Sequence, residues 1–98
     1  MAERRRSIHT GHRQRVKDEF SARGLAGWPD HRVLELLLYY AIPQGDVNGL
    51  AHELVERFGS LAGVLDAAEE ELCRVPGVGQ HTAVLLKLIP AAGARYLQ

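Results

Sequence analysis

The segment "LCRVPGVGQHTAVLL", residues 72–86, decides how the end of the chain folds. A Pro-Gly-Val-Gly turn lies between two apolar runs of helical spacing. Gly77 and Gly79 let the backbone turn sharply and lie close to a neighbouring group. The segment therefore predicts two helices joined by a tight turn, whose glycines face either another helix or a ligand.

Glycine, proline and capping residues divide the rest of the chain into short helices as well. A first helix is predicted to stop at Gly24, and the next to begin around Pro29. Residues 33–40 are apolar nearly all round, which predicts a buried central helix. No segment alternates between apolar and polar residues as a strand does. We therefore expect an all-α fold of five to seven short helices.

Several helix boundaries can be assigned to single residues. Asp46 and Ser60 are predicted N-caps of the two helices that follow the central one, and Gly59 is the predicted end of the first of these. Pro90 lies inside the last apolar run and lacks a backbone donor, so it should kink or split the final helix.

Length and composition narrow the class of protein. The chain has 98 residues, of which 46% are hydrophobic, enough for the core of one domain. No apolar run approaches the roughly 20 residues that span a bilayer, and the N-terminus lacks a secretory signal. Cys73 is the single cysteine, which excludes a disulfide framework and predicts a small core residue. We expect a cytoplasmic protein without membrane contact.

The net charge is zero, but the charges are unevenly distributed. Residues 1–24 carry a net charge of +4, and the remaining residues carry −4. We divide the chain into a basic arm, residues 1–10, and a single helical domain, residues 11–98. Arg4, Arg5 and Arg6 on the arm could contact a polyanion, although charge alone favours a solvated tail.

The opening segment resembles the helix-hairpin-helix motif of DNA-repair and recombination proteins, over residues 72–86. In that motif an apolar residue precedes Gly-apolar-Gly and a small residue follows, and Val75, Gly77, Val78, Gly79 and Ala83 fill these places. Residues 58–60, Phe-Gly-Ser, look like the degenerate first hairpin of a tandem pair. The resemblance predicts a compact unit of two hairpins.

The resemblance implies a sequence-independent DNA-binding site made of backbone groups. The N–H groups of Gly77, Gly79, His81 and Thr82 would hold a phosphate at the start of the last helix. Hairpin carbonyls hold a monovalent cation in some such motifs, which leaves that possibility open here. The predicted nucleic-acid-binding residues are Gly77, Val78, Gly79, Gln80, His81, Thr82 and Lys87 of the hairpin, and Arg4, Arg5 and Arg6 of the arm.

A wider resemblance covers residues 11–98. The segments "GHRQRVKDEF", "VLELLLYYAIPQGD", "LVERFGSLAGVLDA" and "VPGVG" follow one another as in the N-terminal domain of RadC-like proteins. In that family a JAB/MPN-type metal-binding domain follows, with a Glu, a His-x-His pair and an Asp around zinc. This sequence lacks that set, so we read it as a separated N-terminal half.

The resemblance leaves two functions from different classes. The first is a non-catalytic DNA-binding module with no catalytic residue, cofactor or metal site, associated with DNA repair. The alternative is a protein-interaction or oligomerisation module with a purely structural hairpin, whose partner could be the family's metal-binding domain.

Overall fold

Six helices make up the fold in the computed structural model, which describes residues 2–98, with side chains from residue 11 onward. Helices α1 to α6 span Ala2–Arg23, Asp30–Ala41, Asn48–Phe58, Leu61–Asp66, Glu69–Cys73 and Gln80–Leu97. The described residues contain no strand, which confirms the predicted all-α class and the number of helices. None of the described helices is long and apolar enough to cross a membrane.

The predicted helix boundaries are confirmed where local chemistry sets them. Gly24 and Gly59 follow α1 and α3 with φ angles of +72° and +92°, a left-handed conformation that favours glycine. The N-cap of α3 is Val47 rather than the predicted Asp46, which lies one residue earlier and accepts a 2.8 Å hydrogen bond from the N–H of Asn48, the first residue of α3. Ser60 caps α4 through a 3.0 Å hydrogen bond from an N–H three residues later.

Helix α2 is the centre of the core, as its apolar sequence predicts. It packs against α1, α3, α4 and α6, and one of its charged residues, Glu35, is only 4% exposed. The largest fully buried side chains come from α1 to α6 and the hairpin turn. They are Val16, Leu34, Leu38, Leu54, Val64, Leu72, Val75 and Leu86.

Two expectations about single residues are wrong. Pro90 does not split the last helix, because α6 runs without interruption from Gln80 to Leu97. Proline fixes φ near a helical value, so the residues on both sides can remain helical although one hydrogen bond is lost. Cys73 is exposed and is not a core residue. Its neighbour Leu72 fills the core from the five-residue helix α5, which turns Cys73 toward solvent.

Candidate nucleic-acid interface

The hairpin turn between α5 and α6 is anchored by its apolar residues. Val75 and Val78 are buried, and the N–H of Val78 donates a 3.0 Å hydrogen bond to the carbonyl of Val75. Gly77 lies between them with a φ angle of +97°, where a side chain would be strained. Ala83 is fully buried one turn into α6. The apolar positions of the motif therefore fix the turn against the core.

Backbone donors are left open at the start of α6. Gly79 is the N-cap and supplies no side-chain acceptor. The N–H groups of Gly77 and Gly79 and of the first three residues of α6 donate to no acceptor in the part of the chain that the structure describes. Unpaired donors at the positive end of a helix dipole favour an anion. These groups include all four backbone donors predicted from the motif.

The predicted side chains of the hairpin differ in where they lie. Gln80 and His81 are exposed beside the open donors, whereas Val78 and the side chain of Thr82 are buried. Lys87 is half-buried, and its Nζ donates a 2.8 Å hydrogen bond to the carbonyl of Leu65 on α4. The Lys87 ammonium thus stabilises the contact of α6 with α4. The side chains of Arg4, Arg5 and Arg6 lie outside the described residues.

Gly79 has a different backbone conformation from the one that its place in the turn suggests. The sequence predicts that Gly77 and Gly79 both let the backbone turn sharply. Its φ is −93° and its ψ is 178°, which is extended backbone that any residue adopts. A Cβ atom at Gly79 would meet nothing within 4 Å. The fold therefore requires glycine at position 77, whereas the backbone at position 79 would accept other residues as well.

The first hairpin contains the predicted Phe-Gly-Ser turn, but two of its donors, the N–H groups of Leu61 and Gly63, are already paired. Ser60 Oγ accepts the N–H of Gly63, and Asp30 Oδ2 accepts the N–H of Leu61 at 2.9 Å. A Cβ atom at Gly63 would lie 2.1 Å from the carbonyl oxygen of Phe58, so only glycine fits there. The protein's own oxygens occupy the place that a phosphate would take. The two hairpins are thus similar in sequence and different in their open donors.

The corner of α1, α2 and the α2–α3 connection was not predicted as a site. His12 Nε2 lies 3.6 Å from Oε2 of the buried Glu35, and the Arg13 guanidinium lies 4.6 Å from the centre of the Tyr39 ring. Burial and the nearby Glu35 raise the pKa of Tyr39 to about 12. The basic sequence "GHRQR" was visible, but nothing in the sequence indicated that Glu35 would be buried behind it.

Neither the hairpin nor the corner of α1 and α2 contains a cluster of metal ligands within residues 11–98. Within residues 11–98, no three His, Cys, Asp or Glu side chains come together in a way that could hold a metal ion. The ring centres of His31 and His52 lie 3.9 Å apart, but the rings are stacked face to face. Stacking leaves the ring edges, which carry the nitrogen atoms, pointing away from a common point.

Comparison with known proteins finds relatives whose sequences match most of this chain. No family model and no solved structure matches it. The chain is 40% identical over 84 residues to UPF0758 protein SPO0054 of Ruegeria pomeroyi, which covers 86% of this chain and 38% of that protein. It is 38% identical over 79 residues to UPF0758 protein FN0909 of Fusobacterium nucleatum, which covers 81% of this chain and 34% of that protein.

UPF0758 is the family name of RadC-like proteins, so these relatives agree with the resemblance found in the sequence. The chain spans about a third of the length of the two curated relatives. The printed names of the relatives state no activity. Over most of its own length, this chain is similar to the UPF0758, or RadC-like, proteins.

Proposed function

We propose that this chain is a non-catalytic, sequence-independent DNA-binding module that contacts backbone phosphates through the hairpin between α5 and α6. The observation that carries the proposal is a set of unpaired N–H groups, those of Gly77, Gly79, Gln80, His81 and Thr82. A phosphate oxygen could accept several of them at once. Such contacts position a protein on DNA without reading the bases.

The electrostatics of the hairpin favour the binding of an anion with modest affinity. The α6 helix has 18 residues, so its dipole is fully developed at Gln80. Residues 74–82 contain Arg74 and no acidic residue. Gln80 and His81 stand where related hairpins often carry Lys or Arg. Because one arginine accompanies the backbone donors, we expect salt-dependent binding in the non-specific range, with Kd around 10⁻⁴–10⁻⁶ M.

The resemblance to RadC-like proteins adds the context of the proposal. In that family this domain precedes a metal-binding domain, and the relatives are about three times as long as the matched segment. We propose that the hairpin module brings the longer proteins to DNA and that any chemistry belongs to their remaining part. DNA repair is the process that the family resemblance points to.

A charge added at His81 tests the proposal without touching the turn. His81 is exposed and follows the open donors of Gly79 and Gln80. We expect His81→Lys to tighten binding to a duplex oligonucleotide by roughly tenfold, the effect of about 1.4 kcal/mol from one charge-assisted contact. The slope of log K against log salt should steepen by about 0.9.

The matched control is Ala94→Lys, which makes the same change of charge on the same helix. Ala94 is exposed and lies 13 residues from His81, about 20 Å along α6. It should change affinity only slightly. Equal affinities and equal salt slopes for the two variants would refute a phosphate site at the hairpin.

An exposed apolar stripe on α6 favours the second candidate, an oligomerisation or protein-interaction module. Val84, Leu88 and Tyr96 are 47%, 55% and 86% exposed, and their spacing of four or eight residues places them on one face. Sedimentation equilibrium of the wild type and of Leu88→Glu tests this function. A dimer lost in Leu88→Glu supports it, and a monomeric wild type excludes self-association.

A further inference from the structure

A cavity of about 400 Å³ opens between α1 and the connection from α2 to α3, away from the hairpin turn itself. Its wall combines three basic side chains with polar groups from the connection. The residues that matter here are His12, Arg13, Arg15, Tyr39, Asp46 and Asn48. The single acidic side chain on this wall, Asp46, already accepts the N–H of Asn48. The wall therefore carries a net positive charge.

Arg13 is held in place as part of this wall. Its Nη1 donates to the carbonyl of Tyr39 at 3.2 Å, and its Nη2 donates to the carbonyl of Gly45 at 2.7 Å. Both acceptors are neutral, and within residues 11–98 no carboxylate oxygen forms an ion pair with this guanidinium. Its positive charge is therefore fixed beside the cavity without an ion pair among residues 11–98.

The Arg15 guanidinium lies close to Gly11, which has no side chain to crowd it. Gly11 lies inside α1, where glycine is less favourable than alanine. The nearest atom to a Cβ built at Gly11 is Arg15 Nη1, at 3.3 Å, which is tighter than an ordinary contact. An alanine would press on the guanidinium and shift it from its position at the cavity. The glycine thus leaves the Arg15 guanidinium room that a Cβ atom would narrow by a few tenths of an ångström.

His12 lies between the cavity and a buried acid. Glu35 is 4% exposed, and its Oε2, which lies 3.6 Å from His12 Nε2, has no hydrogen-bond partner among the described residues. The hydroxyl of Tyr39, on the cavity wall, is also buried without a partner. A buried carboxylate oxygen without a hydrogen bond is costly unless a positive group balances its charge. Glu35 thus draws positive charge toward this corner of the molecule.

We propose that this cavity binds a phosphate group, and that in the DNA complex it holds a second backbone phosphate beside the one at the hairpin. The second part rests on the proposed function. The first turn of α3 connects the two places: Asn48 lines the cavity, and both methyl groups of Leu50 lie 3.6 Å from a Cβ built at Gly77. On this proposal one nucleic-acid strand passes from the hairpin across the start of α3 to Arg13 and Arg15.

Arg15→Gln tests the cavity, with Arg57→Gln as the matched control. Arg15 is exposed and its side chain forms no hydrogen bond within residues 11–98, so its removal leaves the fold intact. Arg57 is an exposed arginine in the last turn of α3, about 14 Å along that helix from Asn48. We expect Arg15→Gln to weaken binding to a duplex oligonucleotide at least fivefold and to reduce the salt slope by about 0.9. Equal effects of the two variants would overturn the proposal.

Gly11→Ala gives a readout in which stability and binding move in opposite directions. Alanine favours the helix, so the melting temperature should rise. The displaced Arg15 should bind phosphate less well, so affinity for the oligonucleotide should fall at least twofold. A rise in melting temperature with unchanged affinity would show that the position of Arg15 does not matter for binding, against the proposal.

Titrations followed by ¹⁵N NMR separate the sources of phosphate and separate this site from the hairpin. Shifts of the amides of Asn48 and Gly45 on adding the oligonucleotide, weakened in Arg15→Gln, support a backbone phosphate in the cavity. Shifts with inorganic phosphate but not with the oligonucleotide would restrict the site to free phosphate and overturn its place on DNA. No shift with either ligand would overturn the site altogether.

The same titrations on Gly79→Asp, which blocks the hairpin donors, distinguish the two failures. If the oligonucleotide still shifts the cavity amides while Gly79→Asp binds as tightly as the wild type, the hairpin function fails and the cavity stands. If Gly79→Asp abolishes binding and Arg15→Gln does not change it, the cavity proposal fails and the hairpin stands.

Discussion

An aspartate in place of Gly79 should stabilise the fold and weaken DNA binding at the same time. Gly79 is the N-cap of α6, with extended φ and ψ angles of −93° and 178°, the conformation that capping residues adopt. A Cβ atom there has open space. The aspartate carboxylate can therefore accept an N–H of the first turn without strain.

The gain in stability follows from two local effects. Asp is a better N-cap than Gly by a few tenths of a kcal/mol, and a negative charge at a helix N-terminus adds about 0.3–1 kcal/mol. Together these raise the free energy of unfolding by about 0.5–1 kcal/mol. For a chain of this length the melting temperature should rise by roughly 2–8 °C.

The loss of binding follows from the same carboxylate. It takes an N–H that the phosphate would use, worth about 1.5–3 kcal/mol for a charged partner. Repulsion between the two anions adds about 1 kcal/mol at 4 Å even in water. The sum of about 2.5–4 kcal/mol corresponds to a loss of roughly 100-fold or more in affinity.

Thermal unfolding and fluorescence anisotropy with a labelled duplex measure the two effects. Gly79→Asn caps the helix without the charge, and Ala94→Asp adds the charge far from the hairpin, so both should lose less affinity than Gly79→Asp. If Gly79→Asp raises the melting temperature and binds DNA no worse than Ala94→Asp, the helix start does not face a phosphate.

Three further predictions concern the fold. Gly77→Ala should lower the free energy of unfolding by roughly 1–2 kcal/mol in urea titrations, because φ is +97° at this residue, whereas Gly79→Ala should not lower it. Gly63→Ala should destabilise the protein by about 1–3 kcal/mol, because its Cβ atom would overlap the carbonyl oxygen of Phe58; unchanged unfolding in urea would contradict this. The pKa of Tyr39 is raised to about 12 from 10.0, so the fold favours the protonated phenol. The shift contributes about 2–3 kcal/mol to the free energy of unfolding below pH 10, and this contribution is lost as the pH rises through 12. In unfolding curves measured at alkaline pH, Tyr39→Phe should not show this loss.

Much of the fold could be predicted because its signals are local. The left-handed glycines Gly24 and Gly59, the capping oxygen of Ser60 and the carboxylate of Asp46 act on backbone groups within four residues. The apolar run of α2 predicted its central place, since such a helix is stable only when most of its surface is covered. The split predicted at Pro90 does not occur, because one lost hydrogen bond does not end a helix.

The candidate site could be predicted only in part. The motif pointed to the backbone donors of the hairpin, and the structure leaves those donors open, although their contact with DNA stays a prediction. Lys87 was among the predicted binding residues of the hairpin. Its side chain is directed instead by the carbonyl of Leu65, which α4 brings within 2.8 Å. No spacing in the sequence records that contact.

The sequence by itself determined the helices, their ends and the turn at Gly77, because these depend on backbone conformation and on neighbours a few residues away. Only the tertiary structure decided that Asp30 would pair with the first hairpin, that Glu35 would be buried behind His12, and that Arg13 would be fixed to the α2–α3 connection. Each of these contacts joins residues at least 23 positions apart. They depend on how the helices pack together, and a charged side chain in the sequence does not reveal which distant backbone or side-chain group will meet it.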